Sequence, residues 1–222
     1  CYQRALQINP NHYRALNNLG ICLQSKGHLY DALAYFRKAS SIGADYEISS
    51  SNELFTLNYL PDVSVTEIIQ AYKEYNARFG LLHQYKWRVH ANNRETTRRL
   101  KVGYVSPDFR RHSMRHFLEP LLSLHDKNTL EVYAYAELTI EDEVTARYRL
   151  YVDHWVMTRE MNDDALAERI RDDKIDILVD LAGHTAQNRL SVFARKPAPV
   201  SLTYLGYGFT SGLTAKIGRA HV

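Results

Sequence analysis

The positions of apolar and polar residues divide this chain of 222 residues into two regions with different periods. Up to about residue 93, apolar residues recur every three or four positions, which is the spacing of amphipathic helices. After Leu100 the pattern changes to short runs rich in β-branched and aromatic residues, with helical stretches such as DALAERIRDD between them. Strands that alternate with helices predict parallel βαβ units in a doubly wound sheet. The predicted strands are LKVGYVS, LEVYAYAE, HWVMT, IDILVDLA and VSLTYLG.

The N-terminal region carries a helical repeat. Ala5 and Ala39 lie 34 positions apart, which is the period of a tetratricopeptide repeat. Small residues at Gly20 and Ala32 fit positions where the two helices of such a repeat approach closely. The full set of matching positions is Leu16, Leu19, Gly20, Leu23, Ala32, Phe36 and Ala39. We expect the end of a repeat array in residues 1–44, which serves either as a peptide-binding surface or as a packing cap.

A helical connecting segment is predicted for residues 45–98, and the α/β domain for residues 99–215. The stretch VTEIIQAYKEYNARFG has a helical period, and Gly80 at its end is a plausible stop. The basic stretch RETTRRLK precedes the first strand. A solvated linker is favoured there over a phosphate-binding surface.

Composition and charge narrow the functional class. A formal net charge of +3 gives little reason to expect a nucleic-acid partner, and 45% hydrophobic with 24% charged residues fits a globular protein. The two cysteines, Cys1 and Cys22, form no disulfide framework, which favours a reducing compartment. No apolar run approaches the ~20 residues of a membrane span. We therefore expect a cytoplasmic protein that binds neither nucleic acid nor membrane.

Both ends of the chain are unusual for a natural protein. The chain begins with Cys1 rather than Met, so we expect its true N-terminus to be missing. A common sequencing adapter, ATC GGA AGA GCA CAC GTC, translates to the terminal residues IGRAHV. We predict that residues 216–222 are translated adapter and that the chain is a fragment truncated at both ends.

Three of the predicted strands are followed by polar side chains or glycines. The first strand leads to Ser106, Pro107, Asp108, His112 and His116; the fourth leads to Asp180, Gly183, His184 and Thr185; the fifth leads to Gly206, Tyr207, Gly208, Thr210, Ser211 and Gly212. Ligands of open parallel sheets bind beyond the carboxyl ends of the strands. The three strand ends therefore predict one site at one edge of the sheet.

Each of these residues also has an ordinary structural interpretation. Asp108 is a typical helix-capping residue, His112 fits an exposed surface position, and Gly206 fits a turn. His184 in a tight turn can simply satisfy backbone groups. A zinc site at His112 and His116 is not expected, because no third ligand is suggested and an HExxH motif is absent. The absence of GxGxxG and Walker motifs argues against a dinucleotide or P-loop site.

Several long motifs resemble the start of the catalytic region of O-linked N-acetylglucosamine transferases, especially the SPINDLY-like branch. They are LKVGYVSPDFRRHS, IDILVDLAGHTAQNRL and FARKPAPVSLTYLGYGFTSGL. The stretch LFTLNYLPDVS resembles the helical segment that joins repeats to catalytic region in that branch. The resemblance implies an α-helical tetratricopeptide repeat segment followed by the Rossmann-like N-terminal half of a GT-B glycosyltransferase.

The resemblance also implies an activity. An inverting enzyme of this kind moves N-acetylglucosamine from UDP-GlcNAc to Ser or Thr hydroxyls of proteins, with no metal and no cofactor beyond the nucleotide sugar. The protein acceptor is expected to bind through the repeats and the cleft. A GDP-fucose donor, a non-catalytic repeat scaffold and another GT-B enzyme such as a nucleotide-sugar epimerase remain alternatives. Because the nucleotide-holding C-terminal half is absent from this chain, we expect the chain alone to be inactive.

The resemblance assigns roles to particular residues. Asp108 and His112 lie in the D-F-x-x-H motif and are the expected catalytic residues. The expected substrate-binding residues are His116, His184, Thr185, Leu205, Gly206 and Tyr207. One position departs from the family pattern, since Gly208 stands where the family has proline, and this loosens the turn on the sugar side.

Overall fold

The computed structural model describes residues 1–43 and 46–217. The chain divides into two compact units, one spanning Cys1–Tyr75 and the other beginning at Asn76. The division predicted from the pattern, with boundaries at 44 and 98, stays a prediction. In the structure, the second half of the predicted connecting segment belongs to the α/β unit.

The first unit consists of helices that pack through small and apolar residues. The helices are α1 (Tyr2–Ile8), α2 (Tyr13–Ser25), α3 (Leu29–Ile42), α4 (Glu47–Leu57) and α5 (Val65–Tyr75). Ala32 and Phe36 of α3 are fully buried. A Cβ added at Gly20 of α2 would lie 2.6 Å from the Phe36 ring, so α2 and α3 pack closely only because this position lacks a side chain. This confirms the prediction that Gly20 lies where the two helices of the repeat approach closely.

The second unit is a five-stranded parallel sheet with helices between the strands. A π-helical turn (Asn76–Gly80) and a 3₁₀ helix (Leu81–Lys86) precede the sheet. The strands are β1 (Leu100–Ser106), β2 (Leu130–Ala136), β3 (His154–Met157), β4 (Ile177–Asp180) and β5 (Val200–Thr203). The remaining helices are α6 (Arg115–Ser123), α7 (Glu143–Tyr151), α8 (Asp163–Asp172) and α9 (Leu190–Ala194).

The strand order places a topological switch point between β1 and β4. The sheet runs β3-β2-β1-β4-β5, and every neighbouring pair is parallel. The chain therefore adds β2 and β3 on one side of β1. It then returns to the other side of β1, where it adds β4 and β5. In register, Val105 of β1 lies beside Asp180 of β4, so the loops that follow these two strands leave the sheet side by side. Such a crevice is where open α/β sheets bind ligands.

Apolar packing of α6 and α7 fixes one face of the sheet. Leu118 and Leu122 of α6 and Tyr148 of α7 share one buried cluster with Val102 of β1 and Val132 of β2. These side chains are 6% exposed or less. The apolar stripe of each helix thus holds the loop between β1 and α6 over the carboxyl edge of the sheet.

The prediction of a solvated linker before β1 is wrong for Arg98 and Arg99, which are partly buried, although residues 94–97 of the basic stretch are exposed. Two guanidinium nitrogens of Arg98 donate to the Asp176 carboxylate, each at 2.6 Å. Arg99 Nη2 donates to the Leu130 carbonyl oxygen at 2.6 Å. The partner of Arg98 lies 78 positions away in the chain, which the local pattern could not indicate.

Within the part of the chain that the structure describes, no helix is both long enough and apolar enough to cross a membrane.

Candidate active site

The loop after β1 brings Asp108 and His112 together. Asp108 is 8% exposed, and its backbone N–H donates to Ser106 Oγ at 2.9 Å. Its Oδ2 lies 3.7 Å from His112 Nδ1, while the His112 side chain is 39% exposed. The Met114 backbone N–H also donates to His112 Nδ1, at 3.3 Å. The imidazole is thus placed next to a largely buried carboxyl group and remains open to solvent.

Burial and nearby cations have opposite effects on the pKa of the Asp108 carboxyl group. Burial raises the pKa of this carboxyl group, whereas His112 and Arg110 act to lower that pKa, and the net direction is upward. Arg110 Nη2 is 3.7 Å from Asp108 Oδ1. Removal from water disfavours the charged form of a carboxyl group. A positive charge on His112 would therefore be stabilised only to the extent that Asp108 is ionised.

Helix α7 anchors the loop that carries this pair. Thr145 Oγ1 donates to the Phe109 carbonyl oxygen at 2.8 Å, and Asp142 Oδ2 accepts from the Arg111 backbone N–H at 2.7 Å. Phe109 is fully buried and its ring lies edge-on to Tyr148, with centroids 5.6 Å apart. Sequence reasoning did not identify Asp142 or Thr145, because they lie more than 30 positions from their partners.

Asp180 organises the turn that follows β4. Its Oδ1 accepts from the backbone N–H groups of Ala182, at 2.9 Å, and Gly183, at 3.0 Å. Its Oδ2 accepts from Thr203 Oγ1 at 3.2 Å and from Lys216 Nζ at 2.6 Å. Complete burial acts to raise the pKa of Asp180, but Lys216 and the two backbone donors together hold that pKa below its usual range. Asp180 was named among the strand-end residues of the predicted site but was assigned no role, although an aspartate shortly before a glycine is a typical turn signal.

Lys216 is the first residue of the segment predicted to derive from adapter sequence. It is buried and contacts Asp180 and Thr203. The adapter hypothesis for 216–222 stays a prediction, and residues 218–222 lie outside those that the structure describes. Without Lys216, Asp180 would still accept three hydrogen bonds, from Ala182, Gly183 and Thr203.

His184 lies inside the fold and not on its surface. It is 1% exposed, and its Nε2 is 3.0 Å from the Ser211 carbonyl oxygen. Because a carbonyl oxygen can only accept, Nε2 carries the proton in this bond. Burial lowers the pKa of His184 to about 4, so the ring is neutral at pH 7. In this structure His184 connects the loop after β5 to the turn after β4.

The turns after β4 and β5 interlock through two glycines. A Cβ at Gly206 would overlap the Leu181 carbonyl oxygen, and a Cβ at Gly183, where φ is +55°, would clash with Tyr207. Leu205 itself has φ of 40°, in the left-handed region that favours glycine. Leu205, Gly206 and Tyr207 therefore lie in one tightly packed loop beside the His184 turn.

The two remaining predicted residues have different surroundings. Thr185 Oγ1 donates to the Ala182 carbonyl oxygen at 2.8 Å, which closes the turn after β4. His116 is exposed near the start of α6 and lines an open groove of about 610 Å³ with Arg115, Glu119 and Arg147. Since α6 begins at Arg115, the two histidines at 112 and 116 do not share a helix. Among residues 1–43 and 46–217, no group of three or more His, Cys, Asp and Glu side chains could hold a metal ion.

Comparisons with known proteins agree with this architecture. The family model for glycosyl transferase family 41 matches residues 75–216, and a tetratricopeptide repeat model matches residues 1–34. Two proteins named probable UDP-N-acetylglucosamine–peptide N-acetylglucosaminyltransferase SPINDLY match 78% of this chain: that of Petunia hybrida is 34% identical over 176 residues, and that of Arabidopsis thaliana is 36% identical over 178 residues. The chain spans about a fifth of the length of these plant relatives, since 19% of each is covered.

A solved structure is also similar. An O-GlcNAc transferase of Thermobaculum terrenum, in a mutant form, matches with a TM-score of 0.90 and 32% sequence identity, covering 97% of this chain and 41% of that protein. The predicted fold class and the predicted resemblance are thereby confirmed. This chain belongs to glycosyl transferase family 41.

Proposed function

We propose that the protein moves N-acetylglucosamine from UDP-GlcNAc to Ser or Thr hydroxyl groups of proteins. The observation that carries the proposal is the pairing of His112 with Asp108 at the switch point of a family 41 glycosyltransferase sheet. The names of the plant relatives support the same donor and a peptide acceptor. Since this chain covers about a fifth of those relatives, the proposal concerns the complete product of the source gene.

The proposed reaction is a displacement at the anomeric carbon of the sugar. The acceptor hydroxyl oxygen forms a bond to that carbon, the bond from the carbon to the diphosphate oxygen breaks, and UDP leaves with the electron pair. The hydroxyl proton has to be removed as the new bond forms. A partly exposed imidazole at the edge of the sheet is a suitable group to accept that proton or to orient the hydroxyl.

The surroundings of His112 Nδ1 distinguish these two roles. When Nδ1 carries its proton towards Asp108, Nε2 is free to accept the hydroxyl proton, and the carboxylate stabilises the resulting imidazolium. When Nδ1 accepts from the Met114 N–H, the neutral ring presents Nε2–H and can only donate a hydrogen bond to the substrate. In the structure Nδ1 accepts from Met114 and lies 3.7 Å from Asp108, beyond hydrogen-bond distance. We propose that the imidazole closes onto the Asp108 carboxylate when the substrates bind, with His112 as general base and Asp108 as its partner.

Transfer assays on the complete gene product test this proposal. We expect turnover with UDP-GlcNAc and a Ser/Thr peptide, and a loss of about 100-fold or more in kcat for His112→Ala, the usual size of a general-base contribution. His154→Ala is the matched control, because His154 is also partly exposed and pairs with a carboxylate, Glu131, at 2.8 Å. Turnover with GDP-fucose instead would establish the alternative donor. A protein that binds peptides but transfers no sugar would establish the scaffold alternative.

Asp108→Asn separates the two roles of His112. The amide keeps the shape of the carboxyl group but removes its charge, so we expect kcat to fall at least tenfold if His112 is the base. An orienting His112 needs no carboxylate, and near-normal turnover of this variant would reassign His112 to substrate orientation. We expect transfer to be unaffected by EDTA, because we propose that no metal takes part.

We further propose that the protein works in the cytoplasm on protein acceptors that its repeats help to bind. In support, Cys1 and Cys22 are both free and exposed, as is usual for a reducing compartment. The tetratricopeptide repeat match supports the acceptor role of the first unit. Fractionation of cells that express the tagged gene product checks the compartment, and recovery in a secreted fraction would contradict it.

A further inference from the structure

The loop after β5 carries three rings in series that lead from the interior to solvent. The rings of His184 and Tyr207 are 5.4 Å apart between centroids at 71°, and those of Tyr207 and Phe209 are 5.7 Å apart at 68°. Exposure rises along this series, from 1% for His184 through 3% for Tyr207 to 42% for Phe209. The outer ring is therefore supported by two buried rings and is partly uncovered.

The position of Phe209 distinguishes it from a scattered surface residue. Single exposed apolar side chains are common and need no explanation. Among the Phe, Tyr and Trp side chains of the described loops that directly follow the five strands, however, Phe209 is the one that is exposed. Those loops form the carboxyl edge of the sheet, which is the edge that binds ligands.

Open space lies beside Gly208, the residue before this ring. A Cβ added at Gly208 would meet no atom within 4 Å among the described residues other than its two chain neighbours. At Gly206, two positions earlier, the same addition would overlap the Leu181 carbonyl oxygen. The loop is thus packed tightly at its base and open at the position that precedes Phe209.

The chemistry of an exposed aromatic face suits a sugar ring. The face of a phenyl ring carries partial negative charge, which attracts the partly positive C–H groups that a pyranose presents on one side. An aromatic side chain also loses little conformational entropy on contact, because it has only two rotatable bonds. The neighbouring His184 is held in place by the Ser211 carbonyl, so the supporting rings need not move.

We propose that Phe209 is a specificity-determining residue that stacks on the pyranose ring of the donor sugar. The inference rests on the proposed glycosyl transfer and adds the contact that recognises the sugar, as distinct from the nucleotide. The sugar is held by its C–H face, while its hydroxyl groups remain available to polar partners.

Steady-state kinetics of the complete gene product test this contact. We expect Phe209→Leu, which keeps an apolar side chain but removes the π face, to raise the KM for UDP-GlcNAc about fivefold. Phe209→Tyr keeps the ring and should stay within about twofold of the wild type on the same ground. The inhibition constant of UDP, which lacks the sugar, should be unchanged in both variants. Phe117→Leu is the matched control, because Phe117 is also exposed, at 53%, but lies on α6.

Each result supports or overturns the inference. An unchanged KM for UDP-GlcNAc in Phe209→Leu overturns it, and so does a parallel rise in the UDP inhibition constant, which would place the contact on the nucleotide. If Phe209→Leu lowers the Tm by more than about 4 °C, its kinetics do not report on the contact alone, and the test is made on the wild-type protein by NMR. Sugar C–H signals of bound UDP-GlcNAc then shift upfield in NMR spectra if a ring is stacked on them, and unshifted signals overturn the inference. Absence of transfer by the wild type would overturn the proposed function, and the inference with it.

Discussion

Burial of His184 makes the stability of the fold depend on pH. Burial lowers the pKa of His184 from 6.5 to about 4, so the unfolded chain binds the proton more tightly than the folded one. The contribution of the neutral His184 ring to the free energy of unfolding is therefore fully present above pH 6.5. It is lost as the pH falls from 6.5 towards 4. Its full size is about 3 kcal/mol.

Urea unfolding at pH 7 and at pH 4.5 measures this effect. Burial also lowers the pKa values of three other histidines, His83, His90 and His125, which contribute to the same loss of stability on acidification. The comparison with His184→Asn isolates the contribution of His184, because an Asn amide can still donate to the Ser211 carbonyl but does not titrate. We expect a smaller loss of unfolding free energy between the two pH values in the variant. Equal losses in both proteins would contradict the account.

The two glycines that flank Tyr207, Gly206 and Gly208, differ in whether a side chain would fit at their positions. Gly206→Ala would drive a methyl group into the Leu181 carbonyl oxygen and should cost at least about 2 kcal/mol of unfolding free energy. Gly208→Ala meets open space, and φ at Gly208 is outside the left-handed region, so it should be neutral or stabilise by about 0.5 kcal/mol. Thermal melts of the two variants check the contrast. A larger loss for Gly208→Ala would mean that the loop packs differently.

At the scale of single residues, the sequence indicated which polar residues follow the strands but not how they contact one another. The strand-end pattern identified Asp108, His112 and His184, and the structure places each at the carboxyl edge. It did not show that His184 is buried against Ser211, because that contact joins two loops 27 positions apart. Asp180 was given no role either, although its bonds to Ala182 and Gly183 are local and follow a common turn pattern.

At the scale of elements, all five strands were predictable because a parallel sheet needs continuous apolar runs. The strand order was not, since it depends on how the crossovers pack. The segment before β1 was interpreted wrongly because its charges resemble those of a linker. Arg98 instead pairs with Asp176, which is 8% exposed at the amino end of the sheet.

Replacement of Asp176 tests the role of this segment. Asp176 accepts from Arg98, from Asn92 Nδ2 at 2.8 Å and from the Lys101 backbone N–H at 2.9 Å. Asp176→Asn leaves the Arg98 guanidinium without its anion, and we expect a clear fall in Tm. Arg88→Met is the control, because the Arg88–Glu168 pair is exposed and such pairs contribute little. Equal Tm values for the two variants would restore the interpretation as a linker.

At the scale of the whole molecule, the end of the chain affects how the site is interpreted. If residues 216–222 are translated adapter, the natural protein has another residue where Lys216 contacts Asp180. Sequencing the source DNA past the codon for Thr214 checks this prediction. We expect a reading frame that departs from the printed sequence at residue 216. An uninterrupted natural frame that encodes all seven residues would contradict it.

The central claim is that His112 and Asp108 at the switch point catalyse sugar transfer to protein hydroxyls. The most direct test measures sugar incorporation into a Ser/Thr peptide by the complete gene product, with UDP-GlcNAc as donor, for the wild type and for His112→Ala. The account predicts transfer by the wild type, and about 100-fold less by a variant whose circular dichroism spectrum and Tm are unchanged. Transfer by folded His112→Ala at the rate of the wild type would contradict it.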